Sequence, residues 1–254
     1  MINSNPKPAF ATDEVVLSID KLYKAFGDNK VLNGFSLHLK KGENLVLMGR
    51  SGSGKSVLIK CLVGLIKPDS GTIEISGNNI ARLEQKEMDE LRTTIGFLFQ
   101  GSALYDSMTV RENLEFPLRR HTKKLSQKEA EALVFEALEN VGLKHTVDLM
   151  PAELSGGMQR RIALARALIL KPKIIIYDEP TTGLDPITSK EIIELMNNIQ
   201  EQYQTSSLII THDVDCARVV SNRIILLLDG VNYAEGTFEE LSTSKDEKIK
   251  AFFK

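Results

Sequence analysis

The sequence has no tryptophan, and only two cysteines occur in its 254 residues. Cys61 and Cys216 lie far apart, and neither belongs to a C-x-x-C pair or to another spacing typical of metal ligands. This cysteine usage gives no indication of a zinc site or of a disulfide-based fold. We expect both cysteines to be packing residues of a protein in a reducing compartment.

Long hydrophobic runs and an excess of positive charge are also missing. No apolar run approaches the ~18–20 residues that a membrane-spanning helix needs, and the N-terminal stretch MINSNPKPAFATDE lacks the apolar centre of a secretory signal. The formal net charge is −2, so the chain offers no basic field to hold nucleic acid. These absences predict a cytoplasmic protein with no membrane span and no nucleic-acid partner.

The composition that is present, 42% hydrophobic and 26% charged, is ordinary for a soluble globular domain. Apolar runs of strand length alternate with segments of helical spacing, which predicts an α/β fold with a mainly parallel sheet covered on both faces. Ser126 and Glu129 form a capping-box signature before a helical pattern. We predict one domain, with a flexible leader at 1–13, a helical insert at about 101–153 and a helical tail at 242–254.

A glycine-rich segment, GRSGSGKS, follows an apolar strand and fits the pattern G-x-x-x-x-G-K-[ST]. Its glycines let the backbone approach phosphate oxygens, and the N-terminal end of the following helix attracts anions. Lys55 is expected to bridge the β- and γ-phosphates of a nucleotide, and the hydroxyl of Ser56 to ligate Mg²⁺. The predicted nucleotide contacts in this segment are Gly49, Arg50, Ser51, Gly52, Ser53, Gly54, Lys55, Ser56 and Val57.

Two adjacent carboxylates end another apolar strand, in the stretch IIIYDEP. Asp178 comes at the carboxyl end of that strand, where ligands collect in open parallel sheets, and is expected to hold Mg²⁺. Glu179 points elsewhere as the next residue, so it is expected to orient and deprotonate an attacking water. Together with the glycine-rich segment, this pair predicts a nucleotide hydrolase or kinase.

The stretch LSGGMQRRIALARAL predicts a second anion site. Ser155 can cap the helix that follows, and Gly156 and Gly157 expose backbone N–H groups at its start. A monomer with one phosphate cradle has no obvious use for a second. The arrangement makes sense if this segment covers the γ-phosphate that is bound to another copy of the chain.

In combination, these motifs resemble those of the ATP-binding-cassette (ABC) ATPases over about residues 15–241. The resemblance implies their P-loop NTPase fold, with a mainly parallel core sheet, an N-terminal antiparallel β-subdomain and an inserted helical subdomain. It also implies a head-to-tail homodimer that holds two ATP molecules with Mg²⁺. The implied roles are the signature for Ser155, Gly156 and Gly157, a D-loop facing the second copy for Asp185, a γ-phosphate contact for His212, adenine stacking for Phe26, and the Q-loop for Gln100.

Gln100 ends the apolar run IGFLF and precedes a loop of small and polar residues. The resemblance implies that Gln100 reaches Mg²⁺ and the γ-phosphate, and that the loop 101–109 connects it to the helical insert. ATP would then move the insert toward the second copy. In this family the groove beside the glutamine receives a short helix of a membrane permease, and residues 103–118 would line it. Plain packing of the insert is the other interpretation for Leu114 and Phe116.

Within the family, several segments are similar to the ATPases of the Mla/MCE lipid-transport systems, and Met158 after the signature glycines fits that group. This implies phospholipid transport across the bacterial envelope, with a permease and an MCE-type lipid-binding protein as partners and a place on the cytoplasmic face of the inner membrane. The alternatives are a transporter ATPase for amino acids or lipoproteins, or a non-transport ABC protein. A small-molecule kinase would leave Gln100 and His212 without a role.

The expected reaction is in-line attack of water on the γ-phosphate of ATP, with Glu179, His212, Lys55 and Gln100 as the catalytic set. The tail STSKDEKIKAFFK resembles tails of the lipid-transport group that can reach the opposite protomer; a solvated amphipathic helix is the alternative. Tyr177 in the second motif strand is expected to need a hydrogen-bond partner if it is buried.

Overall fold

A computed structural model describes residues 13–122 and 125–253 of the chain. The predicted leader, 1–13, lies outside the described residues except for Asp13. None of the helices in these two ranges is both long enough and apolar enough to cross a membrane.

The strands fall into two sheets. They are β1 (Val15–Phe26), β2 (Asn29–Lys40), β3 (Asn44–Gly49), β4 (Ser70–Ile75), β5 (Asn78–Asn79), β6 (Ile95–Leu98), β7 (Ile174–Asp178), β8 (Ser206–Thr211), β9 (Arg223–Leu228) and β10 (Val231–Gly236). An antiparallel sheet has the order β2-β1-β4-β5, and the core sheet has the order β10-β9-β3-β8-β7-β6. In the core sheet only β10 runs antiparallel to its neighbour. The predicted antiparallel subdomain and mainly parallel core sheet are both confirmed.

Helices cover the core sheet and form the region between β6 and β7. They are α1 (Lys55–Leu62), α2 (Gln85–Thr93), α3 (Val110–His121), α4 (Gln127–Asn140), α5 (Gly156–Leu168), α6 (Pro186–Tyr203), α7 (Val214–Val220), α8 (Phe238–Ser242) and α9 (Glu247–Lys250). Short 3₁₀ turns lie at Ile80–Arg82, Lys144–Thr146 and Pro151–Glu153. The predicted capping box at Ser126 is confirmed, because Ser126 and Glu129 exchange hydrogen bonds at the start of α4.

The central strand β3 is buried on both faces, and successive side chains enter different cores. Leu45 and Leu47 pack with α1 and the antiparallel sheet, whereas Val46 and Met48 pack with α6 and α7. A third core joins α3, α4 and one side of α5. Since α5 also packs on the second core through Ala163 and other residues, this helix connects the helical region to the sheet.

The sequence did not predict α2, the two-residue strand β5 or β10. The segment of α2, QKEMDELRT, consists mostly of charged and polar residues, and only two of its side chains, Met88 and Leu91, are buried. It starts at a capping box between Glu84 and Glu87. β10 contains mainly polar or small residues and lies at the edge of the core sheet, where one side of the backbone ladder needs no partner.

The C-terminal tail packs against the chain's own second core. Ile249 is buried in that core, and Phe252 and Phe253 pack against it. The rings of Phe253 and Phe238 meet edge to face, with their centroids 5.4 Å apart. The tail helix α9 is therefore an apolar contact of the described chain and not a freely solvated helix.

Tyr177 of β7 is fully buried, but its hydroxyl has no hydrogen-bond partner within the described ranges. The prediction that this hydroxyl would find a partner when buried is therefore wrong for this part of the chain. Burial raises the pKa of Tyr177, so the phenol stays neutral.

We predict that Gly71 is a steric requirement of the β1–β4 contact. A Cβ atom at Gly71 (φ +94°) would lie 2.4 Å from the carbonyl oxygen of Lys21 and 2.7 Å from Cα of Leu22. Gly71→Ala should lower the free energy of unfolding by about 3 kcal/mol or more, since backbone atoms must move. Urea denaturation measures this loss.

The matched control is Gly77→Ala. Gly77 also has a positive φ (+79°), but apart from its chain neighbours no heavy atom of the described residues lies within 4 Å of its added Cβ. Its loss should be about 1–2 kcal/mol, the cost of a left-handed conformation alone. Equal losses in the two variants would contradict the steric explanation.

Candidate nucleotide site

The segment Gly49–Ser56 turns tightly between β3 and α1. A Cβ atom at Gly49 would lie 2.4 Å from Oγ of Ser53, and one at Gly54 (φ +104°) would lie 3.0 Å from the backbone oxygen of Val31. The loop can take this course only because neither position carries a side chain. The backbone is thereby free to surround an anion in front of helix α1.

Lys55 begins α1 and turns its ammonium group back into the loop. Nζ donates hydrogen bonds to the carbonyl oxygens of Gly49, at 2.6 Å, and Arg50, at 3.1 Å. Nζ also lies 3.9 Å from Oε1 of Glu179. Burial lowers the pKa of Lys55, while the charges of Glu179 and Asp178 act in the opposite direction.

The two carboxylates at the end of β7 face different surroundings. Asp178 is half-buried: burial raises its pKa, and Glu179 raises it further, against the lowering effects of Lys55 and Arg160. Glu179 is buried and has a positive φ of 50°, which is uncommon for a residue with a side chain. This backbone turn directs the two adjacent carboxylates to different places, as their expected division of roles requires.

Glu179 is held by polar groups from two loops. Its Oε2 lies 2.8 Å from Nδ1 of His212 and accepts a hydrogen bond of 3.2 Å from the hydroxyl of Thr182. When Glu179 is ionised, Nδ1 is the donor in this contact, which leaves Nε2 of His212 for another partner. Thr182 was not predicted, because a hydroxyl in a turn carries no distinguishing signal in a sequence.

These groups surround one cleft of about 720 Å³. The cleft is lined by Arg50, Ser51, Gly52, Ser53, Gly54, Lys55, Ser56, Val57, Gln100, Asp178, Glu179, His212 and Val31. Val31 lies on β2 and was not predicted, since it is one apolar residue in an alternating strand. The expected Mg²⁺ ligands, Ser56, Gln100 and Asp178, all line this cleft.

Ser53 provides a test of whether the cleft fits a phosphate group. Its Oγ atom is buried and has no hydrogen-bond partner in residues 13–122 and 125–253. A buried hydroxyl without a partner is costly unless a ligand or water completes it. The loop backbone, Lys55 and this hydroxyl form a donor set that suits phosphate oxygens.

The predicted signature residues do not line this cleft. Ser155 caps α5, with Oγ accepting from the N–H of Met158 at 3.3 Å. A Cβ on Gly157 would lie 2.5 Å from Cγ2 of Thr188, so this glycine lets α5 approach α6 closely. Gly156 has open space around it apart from Leu184, 3.9 Å from its added Cβ.

Asp185 and Phe26 also lie outside the cleft lining. Asp185 caps α6 by accepting from the N–H groups of Ile187 and Thr188, both at 3.0 Å. A hydrogen bond from the Thr188 hydroxyl lowers the pKa of Asp185. Phe26 is 50% exposed at the end of β1, with Nζ of Lys24 5.4 Å from its ring centroid. An exposed aromatic face is available there for stacking.

The C-terminal tail contacts Arg50 at the edge of the cleft. Its guanidinium carbon lies 5.9 Å from the ring centroid of Phe252, a cation–π distance. The sequence did not predict this contact within one copy.

Sequence comparisons identify relatives over nearly the whole chain. The profile of the ABC transporter family matches residues 32–182. The chain is 41% identical over 238 residues to a probable ribonucleotide transport ATP-binding protein, mkl, of Mycobacterium leprae, covering 94% of this chain and 68% of that protein. A second relative is the intermembrane phospholipid transport system ATP-binding protein MlaF of Haemophilus influenzae, which is 39% identical, with 90% of this chain and 86% of that protein covered. A third is the methionine import ATP-binding protein MetN of Campylobacter jejuni, which is 37% identical, with 93% of this chain and 75% of that protein covered. The chain thus spans about two thirds of the length of the mycobacterial protein.

Solved structures with the same fold include a dimeric post-hydrolysis state of the ATP-binding cassette MJ0796 bound to ADP and Pi. It has a TM-score of 0.79 and 33% identity, with 87% of this chain and 98% of that chain covered. A second is cbiO1 from Clostridium perfringens, part of the ABC transporter complex cbiONQ, with a TM-score of 0.83 and 30% identity over 95% and 96% of the two chains.

We predict that Ser53→Ala separates stability from nucleotide affinity. The free energy of unfolding without nucleotide should stay constant or rise by about 1 kcal/mol, because the removed hydroxyl has no hydrogen-bond partner among the described residues. The affinity for ATP should fall by about tenfold or more, because a hydrogen bond to a charged oxygen is lost. Urea denaturation and titration with ATP measure the two effects.

Ser221→Ala is the matched control, since Oγ of Ser221 is also buried without a partner in the described part of the chain but lies outside the cleft lining. It should give the same stability response and unchanged ATP affinity. A Ser53→Ala protein that is less stable yet binds ATP normally would refute the phosphate-contact assignment.

Proposed function

This chain belongs to the ABC transporter family, and we propose that it energises phospholipid transport across a bacterial envelope as one of two copies bound to a membrane permease. As an ABC ATPase it binds and hydrolyses ATP. The observation that carries the catalytic part of the proposal is the convergence of Lys55, Glu179 and His212 on one cleft.

The phosphate cradle and the carboxylates take complementary parts in this reaction. Lys55 offers a positive charge to the β- and γ-phosphates from a half-buried position, where electrostatic interactions are stronger than in water. Ser56, Gln100 and Asp178 would hold Mg²⁺, which when bound neutralises charge on the phosphate oxygens. Glu179 then accepts the proton of the attacking water.

The contact between Glu179 and His212 holds the proposed base in place. The Nδ1–Oε2 distance of 2.8 Å and the hydroxyl of Thr182 fix one carboxylate oxygen. With Nδ1 donating to Glu179, Nε2 of His212 donates a hydrogen bond to an oxygen of the γ-phosphate in the imidazolium form, in which both ring nitrogens carry hydrogen. Fixing these groups before the reaction reduces the reorganisation that the transition state requires.

The signature residues are proposed to serve a second copy of the chain. Ser155 and Gly156 present the start of α5 away from the chain's own cleft, where a helix N-terminus can meet an anion of a neighbour. The dimeric state of the cassette MJ0796, 33% identical, supports this assembly. Asp185 lies at the start of α6, which packs against the signature helix, and is assigned to the same dimer face.

A groove of about 450 Å³ beside the Gln100 loop is proposed to receive a short helix of the permease. Phe99 is 46% exposed and Tyr105 is 43% exposed at its wall, and the rings of Tyr105 and Phe116 lie 4.9 Å apart. Exposed aromatic side chains gathered in a groove are typical of an interaction site. A permease helix in this groove would lie next to the Gln100 loop, because Phe99 lines the groove, so that nucleotide and transport could be coupled.

The phospholipid assignment is supported by the MlaF relative, which the chain matches over 86% of that protein's length. An MCE-type lipid-binding protein as a third partner, and a location on the inner face of the inner membrane, belong to the same proposal. The alternative is an amino-acid importer ATPase, which is supported by the methionine relative at 37% identity.

We predict that Glu179→Gln binds ATP and accumulates as a closed dimer. The amide keeps the size of the side chain but cannot take the proton of water, so hydrolysis should slow by at least about 100-fold. ATPase assays and size-exclusion chromatography with MgATP measure the two effects. Turnover at the rate of the parent protein would disprove the role of Glu179.

We predict that a complex with a lipid-transport permease and an MCE-type protein shows phospholipid-sensitive ATP hydrolysis. Co-expression and purification, followed by ATPase assays with and without phospholipid vesicles, test this directly. Phe99→Ser should weaken the complex, because it removes apolar area from the groove, and should leave ATP affinity unchanged.

Val15→Ser is the control, since Val15 is similarly exposed (44%) but lies outside the groove. Robust hydrolysis that ignores phospholipid, with no complex formed, would keep the ATPase activity and reject the lipid assignment. Methionine-dependent stimulation with a matching permease would favour the alternative.

A further inference from the structure

Arg160 is a charged residue in an unusual place. It lies on α5, five residues after Ser155, and is only 4% exposed. Burial disfavours the charged form and lowers the pKa of Arg160, while the charge of Asp178 acts in the opposite direction. Nη1 and Nη2 of Arg160 donate hydrogen bonds, whereas Nε has no partner among the described residues, so the partners of the two Nη atoms identify the task of this side chain.

The guanidinium of Arg160 joins two loops that come from different parts of the sequence. Nη1 donates to the carbonyl oxygen of Phe99 at 2.7 Å, and Nη2 donates to that of Thr182 at 3.2 Å. Phe99 immediately precedes Gln100. Thr182 is the residue whose hydroxyl holds Glu179. One side chain on the signature helix therefore fixes the backbone beside two groups of the cleft.

Arg166, further along the same helix, holds the other side of Gln100. Its Nη2 donates to the carbonyl oxygen of Ser102 at 3.1 Å, and Nη1 lies 3.4 Å from Oδ1 of the buried Asn113. Ser102 and Ala103 both have positive φ, at 60° and 50°. Such a backbone persists only where surrounding contacts impose it, and Arg166 supplies one of them.

We propose that Arg160 and Arg166 are positioning residues that fasten the Gln100 loop, and through Arg160 also the loop after Glu179, to the signature helix α5. The proposal rests on the proposed ATPase function and deepens it. On either side of Gln100, a backbone carbonyl group accepts a hydrogen bond from one of the two arginines. Ser155 caps the helix that carries both arginines. A displacement of Gln100 by nucleotide would then move the signature end of α5 with it, because backbone and helix are joined on both sides.

The two hydrogen bonds that the side chain of residue 160 donates suit an arginine better than a lysine. The planar guanidinium reaches two carbonyl groups at once, whereas a lysine ammonium is a single point of charge on a flexible stem. Lysine can retain one of the two hydrogen bonds and the charge, but not the bridge between the loops. A purely structural role that depended on charge and packed volume would be restored by lysine; a bridging role would be restored only in part.

The test compares Arg160→Met, Arg160→Lys and Arg166→Met in the full chain, in the preparation in which the parent protein hydrolyses ATP. Arg160→Met should lower kcat by about tenfold or more, since catalytic groups lose their position. KM for ATP should stay within about threefold, because the phosphate cradle is untouched. Arg160→Lys should give an intermediate kcat.

Amide hydrogen exchange supplies a second readout that a general loss of stability would not reproduce. Exchange should become faster at residues 99–103 and 181–185 in Arg160→Met, and only around residues 101–105 in Arg166→Met. The rest of the core sheet should exchange as in the parent protein, because local opening does not require global unfolding.

Arg161→Met is the matched control. Arg161 lies next to Arg160 on α5 but donates to the carbonyl oxygen of Val141 and to Glu191, neither of which belongs to the cleft. It should leave kcat within about twofold of the parent value. If Arg160→Met does not fold, the kcat and KM of Arg160→Lys and Arg166→Met decide the question.

Parent-like kcat in both Arg160→Lys and Arg166→Met, or a uniform rise of exchange across the core, would overturn the proposal. A parent protein that hydrolyses no ATP in any preparation would instead refute the proposed function. The two failures are therefore distinguishable.

Discussion

The parallel pairing of β3, β8 and β7 is the constraint on which the cleft depends. These three strands lie side by side in that order, and all end at the same edge of the core sheet. Their ends deliver Gly49, Asp178 and, just after Thr211, His212 to one place, although these residues are widely separated in the sequence. A slip of one residue in any of these pairings would turn the buried side chains of that strand to the opposite core.

Burial strengthens the electrostatic interactions between the charges in this cleft and also makes the charged forms less favourable. Lys55, Asp178 and Glu179 are close enough to influence one another, and burial disfavours the charged forms of Lys55 and Asp178. A nucleotide with its metal ion brings charges of both signs to groups that already face the cleft. The hydroxyl of Ser53 follows the same logic, because it has no partner among residues 13–122 and 125–253 and stands where a ligand needs a donor.

Several residues that the family resemblance assigned to a second copy also have local tasks. Ser155 and Asp185 cap α5 and α6, and Gly157 allows these helices to pack closely. Because the proposed dimer-facing chemistry lies at helix starts whose capping the fold needs anyway, it would cost the free chain little strain. Helix α5 then has two proposed roles: its start serves a second copy, and its arginines, which donate to the carbonyl groups of Phe99, Thr182 and Ser102, hold the loops around Gln100 and Glu179.

The sequence by itself determined the chemistry and most of the regular elements. Local patterns, which depend only on neighbouring residues, can be recognised in a sequence. The segment from Gly49 to Ser56, the Asp178–Glu179 pair and the alternating strands are patterns of this kind. Only the tertiary structure showed that β10 and α2 form and that Thr182 and Val31 lie at the cleft. The same holds for the hydrogen bonds from Arg160 to the carbonyl groups of Phe99 and Thr182. Those features arise from contacts between residues distant in sequence, and a buried arginine or a polar edge strand has no local pattern that distinguishes it from a solvated one.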